Sequence, residues 1–158
     1  MTTLVDRIHF QWERVYPLVC GLVGLAVGFF FMPKWLHHIH EKTWAIENVF
    51  VAAFTIATVM AGFGLAVYTF LLTTESGFIG RAKRSIYYKQ MLTYVVTAAG
   101  LSALLAVISI PGMIVKEAPI TSTIYCAYAA LWSSSTCWTL AAGFRAGHIF
   151  SIFAREHH

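Results

Sequence analysis

Four stretches of this chain contain no Asp, Glu, Lys or Arg at all: residues 15–33, 48–74, 90–115 and 118–144. Each is about as long as a helix needs to cross ~30 Å of hydrocarbon. They lack period-two alternation, so they do not read as strands of a membrane barrel, and an open sheet would leave backbone groups unpaired in lipid. Helices are the remaining solution. The spacing predicts spans at roughly 16–33, 47–73, 89–111 and 120–145. The expected fold class is all-α: a polytopic membrane protein whose single domain, 1–158, is an antiparallel bundle of four transmembrane helices.

Composition supports this reading. The 158 residues are 58% hydrophobic and 11% charged, against about a quarter charged in a typical soluble domain. A soluble chain of this length still has to cover most of its surface with polar groups. An ordinary soluble enzyme, a disordered protein and a soluble nucleic-acid-binding domain are therefore excluded by the sequence reading.

Local signals mark the ends. Pro17 fits the first turn of span one, and Pro33 is expected to close it. Pro111-Gly112 is expected to end or kink span three, and Thr121 and Ser122 after Pro119 are plausible caps for span four. Before the first span, Leu4, Ile8, Trp12 and Val15 recur at helical spacing opposite Asp6, Arg7, Glu13 and Arg14. With Thr3 and Asp6 resembling a capping box, residues 3–14 are expected to form a short interfacial helix. The acidic, long N-terminal region with no small-x-small site argues against a cleaved signal peptide. His157 and His158 are given no functional weight, since a purification tag leaves such a pair.

The basic residues set the orientation. Arg7, Arg14, Arg81, Lys83, Arg84, Lys89, Arg145 and Arg155 lie on one side, and only Lys34, Lys42 and Lys116 on the other. The positive-inside rule places both termini in the cytoplasm of a bacterial inner membrane. Trp12, Tyr16, Tyr87 and Tyr88 then form the inner aromatic belt, and Trp35 and Trp44 the outer one.

Several residue sets could carry function. Gly21, Gly24 and Gly28 form one small-residue stripe, and Ala53, Ala57 and Ala61 with Gly64 another. Such stripes let helix backbones approach closely, within the bundle or between subunits of a homo-oligomer. Tyr125, Tyr128, Trp132, Ser135 and Thr139 make a polar face on span four, suited either to interhelical hydrogen bonds or to the lining of a pore or pocket. Arg81, Lys83, Arg84 and Lys89 stand beside Glu75 alone and could bind anionic lipid or a cytosolic protein.

Other patterns are weaker. His37, His40 and Glu41 would share a helix face at spacings compatible with zinc, but they read first as a polar interfacial segment, so no metal and no cofactor is expected. A bis-histidine haem would need paired histidines within the bundle. Cys20, Cys126 and Cys137 all fall in apolar stretches and form no CxxC. No Asp, Glu, Lys or Arg lies inside a span, unlike ion pumps, voltage sensors and most coupled transporters. No catalytic or nucleotide-binding motif is present.

From Val51 to Pro111 the chain runs through Ala61-Gly62-Phe63-Gly64, then Phe78-Ile79-x-Arg81-x-Lys83, Tyr87-Tyr88, Leu92 and Tyr94, then a second apolar helix. This cadence resembles small four-helix bacterial membrane proteins, some of which accompany anti-phage defence loci, such as the membrane subunit of Kiwa-type systems. The resemblance implies a homo-oligomer that senses membrane perturbation and recruits or releases a cytosolic effector. It supplies no catalytic residue.

The expected function is accordingly a non-enzymatic, oligomeric inner-membrane sensor or scaffold. Its expected partners are membrane lipids, further copies of itself and a cytosolic protein, without direct contact to nucleic acid. Two alternatives stand beside it: a pore lined by the polar face of span four, and a membrane-anchor subunit of a redox or metalloenzyme complex.

Overall fold

A computed structural model describes residues 4–41, 46–73, 83, 86–114 and 123–155. It contains four helices and, among the described residues, no strand: α1 (Leu4–Glu41), α2 (Ile46–Thr73), α3 (Ile86–Ile114) and α4 (Thr123–Arg155). Two of them are long and apolar enough to cross a membrane, over Glu47–Thr73 and Tyr88–Ile114, each 27 residues with a mean hydropathy of 2.1. Helix α1 contributes a shorter apolar stretch, Val15–Phe31. Helix α4 carries Ser133-Ser134-Ser135-Thr136 near its middle.

The helix ends differ from the sequence expectation. Residues 4–14 are not a separate surface helix but the first turns of α1, which continues past Pro17 and Pro33 to Glu41. Helix α3 likewise passes Pro111 and ends at Ile114. A proline removes one backbone donor but has a helical φ, and continuing the helix keeps the remaining backbone groups paired. Thr3, Thr121 and Ser122 lie outside the described residues.

The helices stand in the order α1, α4, α3, α2 rather than in chain order. Tyr16 meets Ala141, Gly24 meets Cys137 and Gly28 meets Ala130, so α1 and α4 are antiparallel. Leu71 meets Tyr88, Gly64 meets Ala99 and Phe50 meets Gly112, so α2 and α3 are antiparallel. Tyr128 on Gly112 and Thr139 on Leu101 set α4 antiparallel to α3. Helix α2 touches α4 side by side through Phe50 on Trp132 and Met60 on Gly143. Among the described residues, α1 packs on α4 and makes no comparable seam with α2 or α3. The arrangement is thus a three-helix unit, α2–α3–α4, with α1 docked on the far face of α4.

Glycine makes the α1–α4 seam possible. A Cβ at Gly24 would lie 2.8 Å from the Cys137 Cβ, and one at Gly28 would collide with Ser133. Ser133 Oγ stands 3.0 Å from the Gly24 carbonyl and 2.9 Å from its own-helix Ala130 carbonyl, and Ser134 Oγ donates to the Gly21 carbonyl at 2.7 Å. Ala57 plays the same part on α2, wholly buried among Phe50, Leu105, Ala106 and Trp132, with Ala53 packed alongside. Ala61 is half-buried.

The described surface carries many large apolar side chains, and three hydroxyl residues lie in the interior. Phe63 and Phe30 are each 71% exposed, Ile124 82% and Phe144 74%, whereas Ser102, Ser109 and Thr139 are buried. Only 11% of the most apolar part of α2 is buried, which a core helix of a soluble protein would not tolerate. Exposed hydroxyls bond to their own helix, as Thr55 does to the Val51 carbonyl and Thr97 to the Thr93 carbonyl.

Overpacking a seam of this kind costs about 1–3 kcal/mol. We therefore expect Gly24→Val or Gly28→Val to lower the melting temperature of the purified protein and expose α1 to protease. Gly62→Ala, whose Cβ meets nothing within 4 Å, leaves both unchanged. Equal melting temperatures for all three variants would show that α1 is not held by this seam.

Candidate functional site

The sites expected from sequence separate into three places. The first is the polar face of α4. Tyr128 Oη donates to the Ile108 carbonyl at 2.7 Å and accepts from the Gly112 N–H at 3.0 Å. These are the two groups that an uninterrupted α-helix would pair directly. A tyrosine of α4 thus bridges two backbone groups of α3 beside Pro111.

One turn away, Trp132 Nε1 donates to Ser109 Oγ at 2.9 Å, and Ser109 Oγ donates to the Leu105 carbonyl at 2.8 Å. Phe50 of α2 completes the cluster. Its ring stacks on Tyr128 at 5.9 Å, stands edge-on to Trp132 at 4.8 Å, and lies where a Cβ on residue 112 would be. Gly112 is needed here for close approach and not for an unusual backbone angle.

The rest of that face points the same way or is bonded locally. Thr139 Oγ1 donates to the Leu101 carbonyl at 3.3 Å, and Ser135 Oγ to its own-helix Leu131 carbonyl at 2.9 Å. Tyr125 is buried, its ring 6.0 Å from that of Tyr128, and its hydroxyl has no hydrogen-bond partner among the described residues. Tyr128, Trp132 and Thr139 therefore face α3 with their polar atoms engaged, not an open lumen.

The second place is the connection between α2 and α3. Lys83 is half-buried and its Nζ donates to the Leu72 carbonyl at 2.9 Å, capping the end of α2. Lys89 is exposed on the first turn of α3. Arg81 and Arg84 lie outside the described residues. Beneath this connection Tyr88 Oη donates to the Leu71 carbonyl at 2.6 Å, and Leu71, Tyr88 and Met91 form a small apolar cluster with Val67, Leu92 and Ile149. Arg145, one of the basic residues counted for the orientation, is buried, with its guanidinium 3.9 Å from the centre of the Tyr94 ring. Stacking on the ring face lets a cation sit there.

The third place was not anticipated. Between α2, α3 and α4 lies an open crevice of about 160 Å³. Val95, Ala98, Ala99 and Ser102 form its floor, Met60, Phe63 and Val67 one wall, and Gly143, Gly147 and Phe150 the other. The Ser102 hydroxyl is turned into its own helix, donating to the Ala98 carbonyl at 2.8 Å. The sequence holds the signal in the small residues at 98, 99, 102, 143, 146 and 147, but small residues serve equally for tight packing.

Of the histidine cluster, His37 is exposed, and the side chains of His40 and Glu41 lie outside the described residues. No group of three or more metal-ligating side chains occurs among the described residues. Cys20, Cys126 and Cys137 are not joined in disulfides. Compared with protein-family models, curated proteins and solved structures, the chain matches none of them.

The aromatic cluster yields a test. Gly112→Ala sets a methyl against the Phe50 ring and is expected to cost about 1–3 kcal/mol of stability. Phe50→Leu alone is also destabilising, but the double variant should be less so than the sum of the two, by about 1 kcal/mol or more. Strict additivity in thermal unfolding would mean that the ring and the glycine do not meet.

Proposed function

We propose that the chain is a polytopic membrane protein with four spans and both termini in the cytoplasm. In this reading it works without chemistry of its own, as an oligomeric sensor or scaffold joined to a cytosolic partner. The observation that carries the proposal is the surface: large apolar side chains are exposed on the described parts of all four helices, while Ser102, Ser109 and Thr139 are buried. In water such an exterior would aggregate, and in lipid it is the natural solvent-facing side. Helix α4 has too many hydroxyls to score as an apolar span, yet Ser133, Ser134, Tyr128, Trp132 and Thr139 all spend their polar atoms on neighbouring helices. Their cost in hydrocarbon is met by those bonds.

Helix α1 supports assembly. It is held along one face, and Leu18, Leu22, Leu25 and Phe29 recur at helical spacing on another, all exposed. That stripe suits lipid or a second copy of the chain. The basic connection with Lys83 and Lys89 supports coupling to an acidic cytosolic partner, in keeping with what a resemblance to small four-helix defence-linked membrane proteins implies. For a pore lined by α4, Tyr128, Trp132 and Thr139 would have to give up their bonds to α3.

Topology mapping with reporters at 42–45, 74–82, 115–122 and after residue 158 tests the proposal. The second and fourth are expected inside, and the first and third outside. A two-span pattern would overturn it. Replacing Arg81, Lys83, Arg84 and Lys89 by Gln should abolish crosslinking to the cytosolic partner while leaving membrane insertion intact. Unchanged crosslinking would remove the coupling role from this connection.

A further inference from the structure

We infer that α4, carrying α1 with it, has a second register on α3 three residues away, in which Tyr125 takes the place that Tyr128 now holds. The inference rests on the membrane reading above and supplies its sensor with a moving part. Three observations carry it: a buried hydroxyl without a partner, a repeat along α4, and room along the face where the movement runs.

Tyr125 is 7% exposed, and its Oη is buried with no hydrogen-bond partner among the described residues. A buried polar group left this way calls for a physical reason. One turn further along α4, Tyr128 Oη holds two partners on α3, the Ile108 carbonyl at 2.7 Å and the Gly112 N–H at 3.0 Å. The two rings are 6.0 Å apart. Tyr125 is thus the same side chain three residues short of a place that satisfies it.

A second hydroxyl pair repeats the interval. Thr139 Oγ1 donates to the Leu101 carbonyl of α3 at 3.3 Å. Three residues earlier, Thr136 is half-buried, and its Oγ1 is turned back to the Trp132 carbonyl of its own helix at 2.9 Å. Three residues correspond to a slide of about 4.5 Å and a turn of about 60°. One such step of α4 toward its C-terminal end sets Tyr125 opposite Ile108 and Gly112, and Thr136 opposite Leu101. Ala129 then takes the place of Trp132, and the indole gives up Ser109 Oγ. That lost bond makes the present register the favoured one.

The bundle is divided so that the step has room. Among the described residues, α1 is joined to α4 by its glycine seam and makes no comparable seam with α2 or α3, so it travels with α4. Helices α2 and α3 form the other pair, through Gly64 on Ala99 and Phe50 on Gly112. The slide therefore runs along the face between the pairs, and the crevice of about 160 Å³ lies on that face. A Cβ at Gly147 meets nothing within 4 Å there. In the second register Phe144, now 74% exposed, stands at the place of Gly147, and its ring enters the crevice. Leu140 comes to the place of Gly143, where the neighbour is the flexible end of Met60. Packed helices switch by one-turn steps of this kind. In the membrane reading the step moves the inner ends of α1 and α4 together toward the cytoplasm.

The test uses the full chain in nanodiscs, with Cys20, Cys126 and Cys137 replaced by Ala. Spin labels are placed at Leu65 of α2, 58% exposed, and at Ile124 of α4, 82% exposed. The step brings these labels closer by about 4 Å, which double electron–electron resonance resolves. The parent is expected to show the longer distance almost alone. Tyr128→Phe removes bonds made only in the present register and should raise the shorter component about tenfold. Ser109→Ala leaves Trp132 without its partner and should raise it too. Tyr125→Phe is expected to keep the longer distance and the melting temperature. Added to Tyr128→Phe or to Ser109→Ala, it should return the shorter component to the parent's level.

A single distance in both Tyr128→Phe and Ser109→Ala would overturn the inference. So would a shorter component that survives Tyr125→Phe, since α4 would then slip without that hydroxyl. The chains are recovered from the membrane fraction of the expressing cells. A membrane-inserted chain with one distance removes the second register alone. A chain found only in the soluble fraction removes the membrane reading itself, and the inference with it.

Discussion

Close approach of α4 to its neighbours is the contact on which the rest of the structure depends. Helix α1 is held by α4, and α3 is joined to α4 by the aromatic cluster and Thr139, so α4 carries seams on different faces. The chemistry of the two seams differs. Toward α1 the faces are bare, with Gly21, Gly24 and Gly28 under Trp138, Cys137 and Ser133. Toward α3 they are bulky and hydrogen-bonded, with Tyr128 and Trp132 reaching into the other helix. A bare seam buries little area but brings backbones close enough for Ser133 and Ser134 to reach carbonyls of α1. A bulky seam sets the helices further apart and fills the space with rings.

That difference explains the crevice. Where Phe50, Tyr128 and Trp132 fill one end of the α2–α3–α4 unit, the interior is packed. Toward the other end the facing residues become Gly and Ala: α2 meets α3 at Gly64 and Ala99 and Met60 reaches Gly143, and a gap is left beside these contacts. The apolar cluster of Leu71, Tyr88 and Met91 holds the far end apart again. Small residues between two bulky layers leave a gap instead of a tight seam, because a helix is too stiff to bend inward over a few turns.

The buried Arg145 follows the same economy. Beside Tyr94 it is the one buried residue of fixed charge among the described residues. It lies just past the charge-free stretch 118–144 and is sheltered by a ring face. Polar groups elsewhere in the interior follow the common pattern of bonding back four residues, as Ser102 and Ser109 do.

Much of this was legible in the chain by itself. The charge-free stretches located all four helices, since a run without charge and with helical length has few other solutions. The Gly and Ala stripes marked which faces could approach closely, and Pro111-Gly112 marked the irregular place in α3. Helix ends were less legible: Pro33 did not stop α1, and residues 4–14 joined it, because a proline costs one donor while ending a helix exposes several. The sequence alone also left open whether Tyr128, Trp132 and Thr139 line a lumen or bind a neighbour. Only the tertiary structure decided that, by setting α3 opposite them with the Ile108 and Leu101 carbonyls and Ser109 Oγ in reach. It alone decided the order α1, α4, α3, α2, the partnership of Phe50 with Gly112, and the crevice. Periodicity along one helix says which residues share a face, but which neighbour meets that face, and at what distance, depends on side chains brought together from three helices.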